Sequence, residues 1–147
     1  PLPDDSSMIA KIGPRTSPQR AASLRFTEEG KRLIESGKYA RALIRLEKTI
    51  SIDSTNPYAY FYLGKTHYHL GHFKDSLNFL DVAESLFSSK AYWLAEVFAL
   101  KGENFRALGL FRKADSSYSN ALKLNSGNRV AAKGLSDLRG KNTPYLR

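Results

Sequence analysis

Apolar residues recur through most of the chain at the three- and four-residue spacing of amphipathic α-helices. A first stripe, in which residues spaced i, i+3, i+4 and i+7 share one helical face, contains Tyr60, Leu63, Gly64 and His67. A second stripe begins after a glycine-containing turn and contains Phe73, Leu77, Leu80 and Val82–Ala83. No useful length of sequence alternates apolar and polar residues as a half-buried strand does. The pattern therefore predicts an all-α fold made of helix–turn–helix hairpins.

Residues that begin and end helices occur where this pattern requires them. Asn56 followed by Pro57 is typical of an N-cap with proline at the first helical position. Gly71 lies between the two apolar stripes, where a helix C-terminus commonly needs a residue in the left-handed conformation. These residues predict that a hairpin begins at Pro57 and turns near Gly71.

The hairpin pattern is repeated three times. A glycine, an aromatic residue two positions later and a small residue three beyond that recur as Gly37–Tyr39–Ala42, Gly71–Phe73–Ser76 and Gly109–Phe111–Ala114. Another glycine precedes each set by seven positions: Gly30, Gly64 and Gly102. Because helices that pack about 8–10 Å apart need small residues where they cross, we expect these glycines at the crossings. Large residues fill the space around them: Phe26, Tyr60, Phe98, Leu46, Leu80 and Tyr118.

These motifs resemble the tetratricopeptide repeat (TPR) family. Its 34-residue unit has a glycine in the first helix and a small residue in the second, as the three sets here do. The departures are a serine in place of the closing proline of every unit, and Thr49 where the other units have Ala83 and Ala121. The resemblance implies three TPR hairpins in a right-handed superhelical array. The predicted divisions are a flexible leader 1–22, repeats 23–56, 57–90 and 91–128, a capping helix 129–139 and a tail 140–147.

The third repeat contains four additional residues, 91–94. Four residues are close to one helical turn, so they predict a first helix that is one turn longer. Trp93 lies in this turn, and we expect it to pack against the second repeat rather than project toward a partner. The capping helix is expected to cover the last apolar face with Val130, Ala131, Gly134, Leu135 and Leu138.

Composition places few limits on function. The 147 residues carry a net charge of +9 and contain no cysteine, which excludes disulfides and thiolate chemistry. No apolar run is long enough to span a bilayer. Because the chain starts at Pro1, the sequence is compatible with both a cytoplasmic protein and an exported, periplasmic one that has lost a targeting segment.

No arrangement typical of catalysis or cofactor binding stands out, so we predict a protein that is not an enzyme and needs no cofactor. The phosphate-binding and nucleophile motifs are missing from the sequence. The three histidines, His67, His69 and His72, suggest a metal site. However, His67 and His69 point to opposite sides of a helix, and no cysteine or suitably placed carboxylate is evident, so no metal is predicted.

The TPR resemblance implies that a partner binds the concave surface lined by the first helix of each repeat. The residues predicted to form this groove are Lys31, Ile34, Tyr58, Phe61, Lys65, Tyr68, His69, Glu103 and Arg106. Aromatic residues are common interface anchors, and the neighbouring cations favour acidic groups. The predicted function is thus a scaffold that binds a protein or peptide segment of apolar and acidic character.

TPR domains that bind chaperone tails hold a terminal carboxylate in a clamp of basic and asparagine residues. The corresponding positions here are Thr27, Lys31, Tyr62, Glu96 and Leu100, of which only Lys31 is suitable. We therefore expect a different type of partner. Two alternatives are self-association and nucleic-acid binding, but glutamates interrupt the basic residues of the first repeat, which disfavours nucleic acid.

Overall fold

Seven α-helices and one short 3-10 helix form the part of the chain that the structure, a computed structural model, describes, residues 7–140. The 3-10 helix is Met8–Lys11. The α-helices are α1 Pro18–Glu35, α2 Tyr39–Ile52, α3 Pro57–His69, α4 Phe73–Phe87, α5 Ala91–Ala107, α6 Phe111–Leu124 and α7 Arg129–Gly140. This range contains no strand, which confirms the predicted all-α class. The chain consists of two compact units, and the boundary between them lies between Leu86 and Phe87.

In the first unit, glycines allow the paired helices to cross closely. A Cβ atom on Gly30 would lie 2.5 Å from the Leu46 side chain, and one on Gly64 would lie 2.9 Å from Leu80. The Ser76 hydroxyl also donates a 2.6 Å hydrogen bond to the Gly64 carbonyl. The predicted pairing of glycine on the first helix with a large residue on the second is therefore confirmed in α1–α2 and α3–α4.

Left-handed residues close the hairpins. Gly37, Gly71 and Gly109 have φ values of 75°, 80° and 76°, and they follow α1, α3 and α5. The expected conformation of Gly71 is thus confirmed. After α4 the same region of φ is occupied by Ser88, at 57°, which is unusual because a Cβ atom disfavours it.

Asn56 joins α1 to the start of α3. Its side-chain oxygen accepts a 3.0 Å hydrogen bond from the Tyr58 N–H, which confirms the predicted N-cap. Its amide nitrogen donates to the hydroxyls of Ser23 and Thr27 in α1, at 3.1 and 3.2 Å. Because all three polar residues are buried, this network satisfies groups that would otherwise be costly to remove from water.

The described part of the predicted leader differs from the expectation of a flexible segment. Helix α1 begins at Pro18, after an N-cap serine, and therefore includes five residues of the predicted leader. Arg20 forms an ion pair with Asp53 and donates to the Thr55 hydroxyl at 2.8 Å. Met8 is completely buried, with the 3-10 helix packed against α1. The low apolar content of this segment predicts flexibility. In the structure, the buried Met8 and the ion pair and hydrogen bonds of the segment attach it to the helices instead.

The second unit contains α5, α6 and α7 together with Phe87. Helix α5 has 17 residues, four more than the 13 of α3. Trp93 is buried and stacks on Phe87 with 5.5 Å between ring centroids, so the expected packing against a residue of the second repeat is observed. No helix among residues 7–140 has both the length and the apolar character of a membrane span.

Tyr118 occupies the centre of this unit between two glycines. Cβ atoms built on Gly102 of α5 and Gly134 of α7 would lie 2.5 and 2.3 Å from its ring. Helix α7 buries Ala131, Gly134, Leu135 and Leu138, as expected for the cap. Val130 is the exception, since it is exposed although the pattern places it on the apolar side. The predicted tail begins at Gly140, the last residue of α7, and its remaining residues lie outside the described range.

Candidate functional site

The aromatic face predicted on α3 is largely buried. Tyr58 and Phe61 are each only 5% exposed. The Lys11 ammonium lies over the Tyr58 ring, 4.8 Å from its centroid, and Phe61 meets the edge of Tyr62 at 5.1 Å. Ile34, another predicted groove residue, is also buried. The sequence predicts that these three side chains face a partner, but packing within the chain already removes most of their surface from water.

Glu28 anchors the N-terminal segment that reaches Tyr58. Its carboxylate accepts hydrogen bonds from the Met8 N–H at 2.7 Å and from the Ser7 hydroxyl at 3.0 Å. Burial by itself would raise the pKa of Glu28, but these two donors, with Lys31 and Arg32 nearby, outweigh it and hold the pKa below its usual value. The charged carboxylate is thus the form that fixes the 3-10 helix to α1.

Four predicted groove residues of the first unit remain accessible. Lys31, Lys65 and Tyr68 are half-buried, and His69 is exposed. The His69 ring stacks on Tyr39 with 4.7 Å between centroids, and Tyr68 packs at 5.8 Å from Phe73. The His69 ring is only partly removed from water, and this partial burial, followed by the positive charge of Lys65, lowers its pKa. We call these four residues the α1–α3 surface, in which Lys31 lies on α1 and the other three residues lie on α3.

The two predicted groove residues of the second unit are held in a polar network. Arg106 pairs with Glu103 at 3.2 Å and with Asp137 of α7 at 3.4 Å. The Tyr118 hydroxyl donates to the same Glu103 carboxylate at 2.8 Å. This network links α5, α6 and α7, so Glu103 and Arg106 have a structural explanation that the spacing of the sequence did not reveal.

Sequence reasoning did not single out a depression formed by α1 and α2, which we call the outer depression. Its volume is about 380 Å³, and Leu33, Arg41, Ile44, Arg45 and Lys48 line it. Ile44 is 71% exposed, the highest value among the large apolar residues described. Exposed aliphatic surface is a common feature of protein-binding surfaces, so the outer depression is a second candidate beside the α1–α3 surface.

Two of the histidines meet at the turn between α3 and α4. The Nδ1 atoms of His67 and His72 are 3.2 Å apart, and His67 stacks on Phe79 with 5.2 Å between centroids. Asp75 brings a carboxylate into the same cluster, contrary to the expectation that no carboxylate lies nearby. Burial lowers the pKa of His67, and the charge of Asp75 only partly opposes this effect. His69 points elsewhere, as its spacing predicted.

Comparisons with known proteins support the repeat architecture. A family model described as TPR repeat matches residues 30–71. A TPR repeat-containing protein of Methanocaldococcus jannaschii is 30% identical over 109 residues, which are 74% of this chain. The chain belongs to the tetratricopeptide repeat family. It spans only 18% of the length of that archaeal TPR protein.

Solved TPR domains share the fold. The first TPR domain of Spaghetti (RPAP3), bound to the HSP90 peptide SRMEEVD, has a TM-score of 0.74 and 22% identity, covering 88% of this chain and 98% of that domain. The second TPR domain of human RPAP3, in complex with the HSP70 peptide SGPTIEEVD, has a TM-score of 0.72 and 21% identity, covering 82% and 98%. The Sgt2 TPR domain of Aspergillus fumigatus has a TM-score of 0.73 and 17% identity, covering 88% and 85%.

Proposed function

We propose that this TPR chain is a protein-interaction scaffold that binds an extended or helical segment of a partner protein. The observation that carries the proposal is the α1–α3 surface. It presents Lys31, Lys65, Tyr68 and His69 on the first helices of two consecutive repeats, and these helices pack against each other. The TPR domains of similar fold include two that are bound to short peptides, which supports the same general activity.

The chemistry of the surface defines the expected segment. Two lysines favour acidic side chains, and the accessible faces of Tyr68 and His69 favour at least one large apolar side chain. Because Tyr58 and Phe61 are buried, the contact is smaller than the groove predicted from sequence. We therefore expect an affinity weaker than that of a standard interface of about 1,600 Å².

The proposed partner differs from the chaperone tails bound by the RPAP3 domains. At the positions of the carboxylate clamp, Thr27, Tyr62 and Leu100 are buried. Glu96 accepts a 2.6 Å hydrogen bond from Asn128 and would repel a terminal carboxylate. The remaining clamp position, Lys31, supplies one positive charge and none of the amide donors. We thus propose that the chain recognises acidic side chains within the partner segment rather than a free C-terminal carboxylate.

A peptide library displayed on phage and selected against the full chain would identify binding segments directly. Enriched peptides are expected to be acidic and to contain a large apolar residue. Their affinity is then measured by fluorescence polarisation against the full chain and against Lys31→Glu with Lys65→Glu. Reversal of both charges is expected to weaken binding by at least about tenfold, because the segment is acidic.

Ile44→Asp provides the matched control, since it places a negative charge in the outer depression and leaves the α1–α3 surface unchanged. The circular dichroism spectrum verifies the fold of each variant. Binding that survives the double lysine reversal and disappears in Ile44→Asp would reject the α1–α3 surface and assign the outer depression. Tight binding of SRMEEVD, with its free carboxylate required, would instead reject the proposed class of partner.

A further inference from the structure

The turn between α3 and α4 places three metal-binding side chains together within the first unit. His67 lies in the last turn of α3, His72 precedes α4, and Asp75 lies in the first turn of α4. One potential ligand atom from each residue lies within 4.8 Å of the other two. The cluster is separate from the α1–α3 surface, and the scaffold function does not require it.

The distance between the two imidazoles fits a shared metal ion. A tetrahedral zinc ion with Zn–N bonds of 2.0–2.1 Å holds two ligand nitrogens about 3.3–3.4 Å apart. The Nδ1 atoms of His67 and His72 are separated by 3.2 Å. Each neutral imidazole can direct an Nδ1 lone pair to the same point if its proton is on Nε2. The separation of the two nitrogens is thus close to the one that two of the four zinc bonds require.

The surroundings favour an ordered site. His67 is buried and stacked on Phe79, so its ring is held in place before any ion arrives. His72 and Asp75 are exposed, which gives an ion access from solvent. A carboxylate oxygen of the exposed Asp75 lies within 4.8 Å of the histidine nitrogens, so we expect a change of its side-chain rotamer to complete the third bond. Two imidazoles and one carboxylate form a ligand set typical of zinc and related transition metals.

We propose that His67, His72 and Asp75 bind one divalent transition-metal ion, with zinc as the best match. Nδ1 of each histidine and one Asp75 oxygen supply three bonds, and water completes the tetrahedron. The ion would fasten the α3–α4 turn and so stabilise the second repeat. The competing explanation is a direct hydrogen bond in which one neutral imidazole donates through Nδ1–H and the other accepts.

Isothermal calorimetry of the full chain without an affinity tag tests the site with zinc chloride. The wild-type chain is expected to bind one zinc ion. His72→Ala and Asp75→Asn change exposed residues, so both variants should fold. Loss of a residue that only supports a ligand weakens metal binding by about 10–100-fold, so loss of the His72 ligand is expected to cost at least as much, and Asp75→Asn is expected to weaken binding as well. His69→Ala is the matched control because it removes the third histidine, which lies outside the cluster, and binding should be unchanged.

Cobalt(II) substitution adds a measurement of geometry. A tetrahedral site should give strong visible absorption bands that disappear on addition of excess zinc and are missing in His72→Ala. The thermal midpoint of the wild-type chain should also rise with zinc concentration, because the ion binds the folded state. The proposal is overturned if zinc at about 100 μM neither binds nor stabilises the wild-type chain. Equal zinc affinity of His72→Ala and the wild type would also overturn it.

Discussion

Single residues determine how closely the helices of each hairpin approach. Gly30, Gly64 and Gly102 all occupy positions where a Cβ atom would overlap the large residue of the opposing helix. Glycine weakens a helix by roughly 1 kcal/mol relative to alanine. Its presence in the middle of three helices is thus explained by the space required at each crossing, rather than by helix formation.

Gly64→Leu should destabilise the chain by about 1–3 kcal/mol, because the added side chain must displace Leu80 or separate α3 from α4. The urea midpoint, followed by circular dichroism, measures the change. Lys65→Leu is the control, since it adds an apolar side chain at the neighbouring half-buried position and should alter stability by less than about 0.5 kcal/mol. Equal midpoints for Gly64→Leu and the wild type would show that the crossing tolerates the side chain.

At the scale of elements, polar side chains determine where several helices begin and which neighbours they join. Asn56 caps α3 and bonds to α1, and Asn128 caps α7 through the Ala131 N–H at 2.9 Å while donating to Glu96 of α5. Each asparagine thus accepts a hydrogen bond from a first-turn N–H that has no partner within its helix, and each also links that helix to another. Lys90, at the start of α5, forms no such side-chain cap.

Asn56→Ala should lower stability by about 1–3 kcal/mol, because it removes the cap of α3 and leaves the buried Ser23 and Thr27 hydroxyls without their donor. Lys90→Ala changes the equivalent position before α5 and should have little effect. Chemical denaturation of both variants provides the comparison. A similar loss of stability in the two variants would contradict the importance of the α1–α3 link.

The N-terminal 3-10 helix should separate from α1 in acid. The pKa of Glu28 is lowered in the folded chain, so its contribution to docking is complete above the unfolded pKa and is lost as pH falls through the folded pKa. Met8 is the only methionine, and its methyl group therefore gives a single NMR resonance. This resonance should keep its folded position at about pH 6 and move toward its random-coil position only as the pH falls below the ordinary carboxyl pKa of about 4.5.

Glu28→Gln tests this explanation at neutral pH, because it removes the charge and retains an acceptor. Its methionine resonance should already be shifted at about pH 6. Glu29→Gln removes a neighbouring exposed charge and should leave the resonance unchanged. A Met8 environment that is identical in the wild type and in Glu28→Gln across the titration would mean that apolar burial alone holds the segment.

At the scale of the whole molecule, the net charge of +9 attracts acidic partners but does not by itself specify nucleic acid. Acidic side chains are distributed among the cations, as in the Arg32–Glu28 and Arg139–Asp115 pairs. A nucleic-acid surface instead requires many cations that remain available to phosphates. The charge distribution thus favours a protein partner that is guided to the chain electrostatically.

Salt dependence should distinguish the two partner classes. The affinity of a selected acidic peptide should fall by less than about tenfold between about 50 and 200 mM salt, because few charges are paired on binding. A protein that contacts 6–10 phosphates would lose about 10³–10⁵-fold over the same range. Fluorescence polarisation with the peptide and with a labelled oligonucleotide measures both slopes. Tight, steeply salt-dependent oligonucleotide binding would favour the alternative function.

Local sequence determined the helices, their caps and the glycine crossings. Helical periodicity places Gly64 and Tyr60 on one face, and the Asn56–Pro57 pair marks a helix start, because these preferences depend on residues only a few positions apart. The lengthened α5 followed from the same reasoning, since four inserted residues nearly preserve the helical phase. Because the motif occurs three times in the sequence, the same reasoning predicted three hairpins.

Only the tertiary structure decided which helical faces are covered. Periodicity showed that Tyr58 and Phe61 share a side of α3, but their burial depends on packing between segments far apart in sequence, as the contact of Lys11 with Tyr58 illustrates. The cluster of His67, His72 and Asp75 likewise depends on how the chain folds back after α3. The helical period determines which side chains share a face of one helix. The turns and the long-range packing determine which residues that face contacts.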